Sequence, residues 1–520
     1  MHWLALHLPQ LSLEAFAATL SEAERGTPLA LVAQHRVVAV NSAAAGAGVR
    51  AGLKRATALA LAPALQLGQA EPKRDAAALQ AVAHVALAFT PMVVLDDGPA
   101  TVLLELASVL RYHGGPARLR ARLHDALAPL GHRLQTAAAP TAAGAALLAR
   151  WGQGAQCTQG ERAGGRRDDL TQGAHAEDLD ALRARLDAAP VWLLGPGREH
   201  WEALQGMGLH TLADLRALPR AGLARRFGAS LLHELDRARG EAPDPRQPLL
   251  PPAVFDSQLE LYARADTTEQ VLHGAGVLLA RLLAWAQARR ARIAAFTLRM
   301  RHERSRRHDA DDAEAAVPAH TTLTVELAEP GADAAQLQLL LRERLARCPL
   351  PAPTLELSLH CRRWVQAEAP SGELFPSRQG QREGLVRLLE RLRARLGDDG
   401  VLRLQPLADH RPEHAQRLQA APLQGVGSTP PPSGGALPLH RPAWLLPTPQ
   451  PLHERGALPL LDGRPLQILS GPERIEAGWW DTDLAARDYF IARDDSGALV
   501  WVYRTRLAEP GGWFLQGRFG

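Results

Sequence analysis

Between Leu193 and Gly240 the chain reads LLGPGREHWEALQGMGLHTLADLRALPRAGLARRFGASLLHELDRARG. Within it, Leu204-Gln205-Gly206-Met207-Gly208-Leu209 sets two glycines between apolar anchors. Glycine turns the backbone at positive φ and lets another chain come close. Thr211 stands where a helix N-cap belongs, ahead of Leu212, Leu215 and Leu218. Short helices joined by tight turns are expected. A hairpin between two helices offers bare backbone N–H groups at its tip, which suit a phosphate. Arg220, Arg225 and Arg226 follow and add positive charge. Gly206, Gly208, Arg225 and Arg226 are therefore candidate DNA contacts of a helix-hairpin-helix that grips a backbone without reading bases. An ordinary helical turn with a glycine C-cap is the other reading.

The rest of the chain sets bounds on that reading. A length of 520 residues predicts three or four domains, and 46% hydrophobic residues can fill several cores. A net charge of +4 permits nucleic-acid binding without demanding it. Cys157, Cys348 and Cys361 have neither metal-ligand spacing nor the look of a disulfide framework, so a reduced, cytoplasmic setting is expected. The opening MHWLALHLPQLSL lacks a basic n-region and breaks at Pro9, so a signal peptide is not expected. No apolar run approaches the roughly 18–20 residues of a membrane span.

Taken in order, Trp3 to Leu8 reads as a buried strand, followed by a helix with Ser12 as its cap and Glu14 in its first turn. Leu29 to Val40 reads as two strands around Gln34-His35-Arg36. Further strands are expected at Met92 to Leu95, Thr101 to Leu106 and Gln135 to Ala139, with helices over Asp75 to Phe89 and Pro116 to Leu130. This mixture predicts an α+β domain over residues 1–190. After a proline-rich linker, Pro243 to Pro252, the order strand, helix, strand, strand, helix, strand runs from Val254 to Cys361. Arg289, Arg290, Arg292, Arg299, Arg301, Arg304, Arg306 and Arg307 gather at one helix end and one strand of it. Arg290, Arg292 and Arg299 are candidate phosphate contacts, against the reading of a solvated basic loop. Residues 409–452, with Pro430-Pro431-Pro432-Ser433-Gly434-Gly435, read as a flexible linker. Trp444, Trp479, Trp480, Trp501 and Trp513 crowd the final segment, either as an aromatic core or as a partner-docking surface.

The order of these parts resembles the Y-family DNA polymerases. The resemblance is carried by Gly48-Val49-Arg50, by the run Leu204 to Gly240 and by Arg292-Ile293-Ala294, and covers about residues 1–365. It implies an α+β multidomain hand: palm and fingers over 1–190, a helix-hairpin-helix thumb over 191–245 and a βαββαβ little finger over 253–365. A clamp-peptide region and helix over 366–408 and a small β-rich partner-binding module over 453–520 complete it. The remainder is similar to a polymerase-like member of a mutagenesis cassette. Its marks are His7-Leu8-Pro9-Gln10-Leu11, Asp409-His410-Arg411-Pro412-Glu413, Leu469-Ser470-Gly471-Pro472-Glu473-Arg474-Ile475, Gly478-Trp479-Trp480, Arg487-Asp488-Tyr489-Phe490 and Gly512-Trp513-Phe514-Leu515.

The same resemblance predicts what the chain lacks. A polymerase holds two Mg²⁺ ions with carboxylates. In the family these come from an Asp-x-Asp pair on the first strand and an adjacent Asp-Glu before a later strand. Aligned through Glu14, the first pair of places holds Ala5 and His7; aligned through Leu104-Glu105-Leu106, the second holds Ala100 and Thr101. No Asp precedes Asp75. Asp96-Asp97 is either a shifted remnant or the cap of the Gly98-Pro99 turn. Ser42 and Ala45 stand where the fingers' Tyr and Arg would grip a nucleotide. The expectation is a pseudoenzyme with no metal and no cofactor, a scaffold for translesion synthesis. Its implied partners are primer-template DNA, the sliding clamp, a C-family error-prone polymerase and a RecA-like protein. The clamp peptide of the family resembles Gln-Leu-x-Leu-Phe; Ser371-Gly372-Glu373-Leu374-Phe375 keeps Leu374 and Phe375. Gln10-Leu11-Ser12-Leu13 also fits the letters but reads as fold. The competing readings are an active polymerase with ligands relocated to Asp96 and Asp97, and a protein-only assembly hub.

Overall fold

In the computed structural model, Trp3, Ala5 and His7 point to one side of the first strand and Leu4, Leu6 and Leu8 to the other, with all but His7 buried. A strand covered on both faces reads as a nearly continuous apolar run. The structure describes residues 2–20, 24, 26–152, 174–303, 318–366, 378–421, 441–507 and 512–519. It divides into two compact units, Met1–Leu374 and Phe375–Gly520.

The first unit begins β1 (Trp3–His7), α1 (Leu11–Ala17), β2 (Leu29–Ala33), β3 (Arg36–Val40), α2 (Ser42–Gly46), α3 (Arg55–Leu61), β4 (Gln66–Gln69), α4 (Pro72–Leu87), β5 (Val93–Leu95), β6 (Thr101–Glu105), α5 (Leu110–His113), α6 (Pro116–Leu127), β7 (Gln135–Ala139), α7 (Ala142–Trp151) and β8 (Ala174–His175). β1 is the centre of a sheet ordered β5-β6-β1-β7-β8, with β6 and β7 antiparallel on either side. One face packs on α4 and α6 through Leu4, Leu6, Val82, Leu104, Leu119 and Leu123, and the other on α7 through Ala5, Leu103, Ala137 and Leu147. Each fully buried leucine contributes about 1.5–3 kcal/mol. β3-β2-β4 forms a separate small sheet. Its β2–β3 turn puts Gln34 and His35 at φ 48° and 63°, a left-handed pair matching the twist of a tight hairpin. Ser12 does not cap α1. Gln10 holds that position, and the Ser12 hydroxyl instead donates to Asp75 at the start of α4. Leu11 and Leu13 are buried, which is the fold role read for that stretch.

Short helices follow: α8 (Leu179–Asp187), α9 (Gly195–Glu199), α10 (Trp201–Gly206), α11 (Leu212–Arg216), α12 (Arg220–Phe227) and α13 (Ala229–Arg239). The segment between them and the next strand was read as a linker, yet it is tied down. Leu249 donates its N–H to Val93 O at 2.7 Å, alongside the edge strand β5.

The sequence order strand, helix, strand, strand, helix, strand is found as β9 (Phe255–Ala265), α14 (Thr268–Ala288), β10 (Ala291–His302), β11 (His320–Gly331), α15 (Ala334–Ala346) and β12 (Thr354–Gln366). The sheet order is β11-β10-β12-β9, all antiparallel. Thr267 opens α14 with a capping box to Gln270. By length and composition α14 could cross a membrane, unlike the sequence expectation, but Val271, Leu278, Leu279, Leu282 and Trp285 are buried in this unit.

The second unit holds α16 (Arg378–Leu396), β13 (Leu402–Pro406), β14 (Gln416–Ala420), β15 (Trp444–Arg455), β16 (Leu458–Leu461), β17 (Arg464–Pro465), β18 (Gln467–Ala477), β19 (Ala485–Arg493), β20 (Leu499–Thr505) and β21 (Trp513–Arg518). β15 to β21 make one sheet ordered β17-β16-β15-β21-β20-β19-β18. Of the stretch 409–452 expected as a flexible linker, the described residues include β14 and most of β15. Residues 416–420 pair with β13, and β15 begins at Trp444, because both present apolar or hydrogen-bonding edges to neighbouring strands. Trp501 stacks on Tyr489 at 4.2 Å and Trp513 lies against Phe490, forming an aromatic core, one of the two readings of these tryptophans. Trp444 and Trp479 remain exposed.

Candidate functional site

The register of β1 against β6 sets His7 opposite Thr101 and Ala5 opposite Leu103. His7 Nδ1 and Thr101 Oγ1 lie 3.1 Å apart, and Thr101 Oγ1 donates to Pro99 O at 2.7 Å. Ala5 is buried one turn of the pleat away. Ala100, at φ 40°, offers its carbonyl to the Leu8 N–H at 2.9 Å. The structure thus brings His7 and Thr101 together and leaves Ala5 and Ala100 as backbone and core.

Between β5 and β6 the loop carries Asp96, whose Oδ2 accepts from the Gly98 N–H at 3.2 Å, so Asp96 does cap that turn. Both of its oxygens also meet arginines. Arg150, at the end of α7, donates to Oδ2, and Arg246 donates to Oδ1 at 2.9 Å. Arg246 continues to Asp244 at 2.8 and 3.0 Å, and Asp244 accepts from the Ala143 N–H at 3.3 Å. Glu234 of α13 accepts from the Gly195 N–H at 3.0 Å. The result is a cleft of about 230 Å³ whose charged lining is Arg150, Arg198, Arg237 and Arg246 against Asp96, Asp97 and Glu234. Burial, then the neighbouring Arg150 charge, pulls the His7 imidazole down to about 4, so it is neutral at neutral pH. Burial lowers Arg150 to about 10, still protonated, and raises Glu234 above the usual carboxylate range.

The helical hairpin lies next in the chain. α10 ends at Gly206, and Gly208 turns at φ +75°. Leu209 N–H donates back to Leu204 O at 3.0 Å, and both leucines are buried as anchors. Thr211 caps α11 as expected, in a capping box with Asp214. A Cβ built on Gly206 or Gly208 would meet nothing within 4 Å, so the backbone of the turn faces open space. On α12, Arg225 and Arg226 are exposed and have no carboxylate partner among the described residues, while Arg220 pairs with Asp236 at 2.5 Å.

On the third segment, Arg290, Arg292 and Arg299 are exposed and again lack carboxylate partners among the described residues; Arg299 lies 3.2 Å from His320 Nδ1. Two neighbours in that arginine cluster do other work. Arg289 donates to the carbonyls of Pro251 and Pro252 and stacks on Trp364 at 4.9 Å, and Arg301 pairs with Glu356 at 2.8 Å. Arg304, Arg306 and Arg307 lie outside the described residues, as do Leu374 and Phe375. The DNA candidates therefore sit on three separate elements.

Comparison with known proteins follows the same outline. The impB/mucB/samB family model matches residues 11–149. Protein ImuB of Caulobacter vibrioides is 28% identical over 496 residues, covering 91% of this chain and 100% of that protein, and ImuB of a second strain gives the same figures. Over nearly its whole length this chain is similar to ImuB. Among solved structures, a Dbh ternary complex and DinB from Sulfolobus solfataricus each share 14% identity at a TM-score of 0.36. They cover 69% and 71% of this chain, and 98% and 100% of theirs.

In this ImuB-like chain, sequence reading missed Arg150, Glu234, Asp244 and Arg246. One local signal was available: Arg150 is the only charged side chain in α7, an otherwise apolar helix of small residues. Arg246 carried no such signal, because its segment reads as a proline-rich connector.

Proposed function

We propose that this chain is a non-catalytic adaptor for translesion synthesis. It binds primer-template DNA and the sliding clamp, and gathers a C-family error-prone polymerase and a RecA-like, ImuA-type protein on the nucleoid in the cytoplasm. The observation that carries the reading is the donor set between β1, β6 and α7. Two magnesium ions need converging carboxylate oxygens that are free to bind them. Here His7 and Thr101 occupy the facing strand positions, and both oxygens of Asp96 are bonded to guanidinium groups. Arginines that approach a carboxylate this closely would also repel a divalent cation. These residues do not suit a metal pair, and no nucleotidyl-transfer step is assigned to them.

The open turn at Gly206 and Gly208 supports DNA contact, as do the exposed Arg225, Arg226, Arg290, Arg292 and Arg299, which have no carboxylate partner among the described residues. The clamp arm rests on Leu374 and Phe375 alone, by the family resemblance. An active polymerase would have to build its site on Asp97, which is exposed at the rim of the cleft.

Primer extension with purified protein, dNTPs and Mg²⁺ or Mn²⁺ tests the central point. No extension is expected. Robust extension abolished by Asp96→Ala or Asp97→Ala would overturn the reading. Clamp pull-down should be lost in Leu374→Ala with Phe375→Ala, and unchanged capture means another peptide docks.

A further inference from the structure

One rigid turn in the second unit presents an aromatic pair to solvent. It joins β18 to β19, and its architecture depends on Arg411, which lies 70 positions away. Arg411 is buried and spends its donors in three directions. It meets Asp409 at 2.8 and 3.1 Å, Asp481 at 2.7 and 2.9 Å, and the backbone carbonyl of Asp483 at 2.8 Å. Asp481 in turn accepts from the Asp483 N–H at 2.9 Å. Gly478, at φ +82°, opens the turn; a Cβ there would run into the Asp483 carbonyl and the Arg411 guanidinium. A turn held at this many points has one shape.

What that shape displays is apolar. Trp479 is 80% exposed and Trp480 54%, edge to face with ring centroids 5.3 Å apart, and the Arg411 guanidinium sits 5.5 Å from the Trp480 ring. Asp409, Asp481 and Asp483 gather on that buried guanidinium beside the Trp480 ring. His414 adds only a contact to Asp483 at 2.8 Å, and Glu413 is taken by Arg487 and Gln516. The hydrogen bonds from Arg411 hold the Asp409 carboxyl down at about 2 and lower that of Asp481, so both are anionic across the physiological range. The patch is thus aromatic at its centre and negative at its edge.

We propose that the Trp479–Trp480 turn is the docking site for a protein segment that presents arginine or lysine beside an apolar side chain. An indole face attracts a guanidinium or ammonium group, and the exposed Asp483 carboxylate completes the pairing. Tryptophan is enriched among the residues that dominate interface energies, and a preorganised backbone lowers the cost of binding. The same carboxylates repel phosphates, which argues against single-stranded DNA or an anionic membrane as the occupant. The inference deepens the adaptor reading by naming the surface and the chemistry of one partner, and it uses neither the DNA contacts nor the clamp peptide.

The test uses the full-length chain and two dye-labelled helical peptides, one of leucine and arginine, the other of leucine and glutamate, read by fluorescence anisotropy. The arginine peptide should bind, more weakly as salt rises, and the glutamate peptide should not. Trp479→Ala should weaken binding at least about tenfold, and Asp483→Asn should weaken it by a smaller factor. Trp479→Ala should leave the unfolding midpoint unchanged, since the ring packs on little. Equal binding of both peptides, or no effect of Trp479→Ala, overturns the proposal. So does a Trp479-dependent dimer in sedimentation, which would make the occupant a second copy, and so does Trp479-dependent binding of oligo-dT. Because the probe is neither DNA nor clamp, a failed gel shift would sink the DNA arm of the adaptor reading while leaving this site standing.

Discussion

Arg246 donates from Nη1 to Oδ1 of Asp96 at 2.9 Å, across 150 positions of chain. The contact joins the segment after the helical hairpin to the loop between β5 and β6. It therefore ties the segment after the short helices α8 to α13 to the edge of the sheet built around β1. Side chains of Arg150, Asp96 and Arg246 are each 10% exposed or less, so this is an ion triad inside the protein.

Removing the acid from that triad should be costly. Asp96→Ala would leave the buried Arg150 guanidinium without its carboxylate and Arg246 with Asp244 alone, and breaking a buried pair typically costs about 3–5 kcal/mol. Urea unfolding of the variant should show a loss of that order. A carboxylate kept for metal binding behaves in the opposite way: without metal its removal relieves repulsion and leaves stability unchanged or higher. A stable Asp96→Ala protein would therefore speak for the relocated-ligand polymerase.

At the hairpin, two glycines separate stability from binding. Gly208→Ala forces a side chain into φ +75° and should cost about 1 kcal/mol. Gly206 ends α10 and has open space beside it, so Gly206→Ala should be neutral or slightly stabilising. If a phosphate approaches the turn, Gly206→Ala should still weaken DNA binding in a gel shift. Unchanged affinity would reduce the turn to a helix stop.

Salt dependence reads the arginines. Each phosphate contact contributes about 0.9 to the slope of log affinity against log salt on duplex DNA. Arg225→Ala with Arg226→Ala should flatten that slope by about 2 and weaken all sequences alike. A slope that does not move would favour the protein-only hub.

Acid should destabilise the first unit through His84. This side chain of α4 is 4% exposed, its Nε2 has no hydrogen-bond partner among the described residues, and burial brings it down to about 4. The unfolded chain takes up a proton near pH 6.5 and the folded one does not until about 4, so stability falls as pH drops through that window. At about 1.4 kcal/mol for each pH unit, the full loss is about 3 kcal/mol. His84→Leu should flatten the curve of unfolding free energy between pH 6.5 and 4. An unaltered curve would mean that the imidazole finds a proton acceptor when folded.

These variants also mark what could be read from residue order. The strands and helices of the βαββαβ unit were legible because their apolar periods run long, over 11 to 13 residues in β9 and β12 and 21 in α14. The Thr211 cap was legible because capping chemistry is local. Ser12 looked like a cap by the same rule, yet its hydroxyl found Asp75, 63 positions on. Asp96 could be assigned to a turn from its neighbours, but not to Arg150 and Arg246, since only the packing of α7 and the returning chain on the sheet brings them there. Residues 409–421 read as linker because their apolar content is low, while the contacts that order them are made with Asp481, Asp483 and Arg487.

Arg411 gives the last prediction. It is the single cation among Asp409, Asp481 and Asp483, so Arg411→Met removes the charge and keeps much of the stem. The three carboxylates would then repel one another, and Asp409 would lose the bond that holds its pKa near 2. Its folded pKa would rise toward the unfolded value, so the stability it contributes above that value, normally lost only in strong acid, should vanish at neutral pH as well. The variant should unfold at a lower temperature than wild type at pH 7, and the difference should shrink as pH falls and the acids are protonated. If the gap instead stayed constant with pH, Arg411 would be acting through packing against Trp480 rather than through its charge.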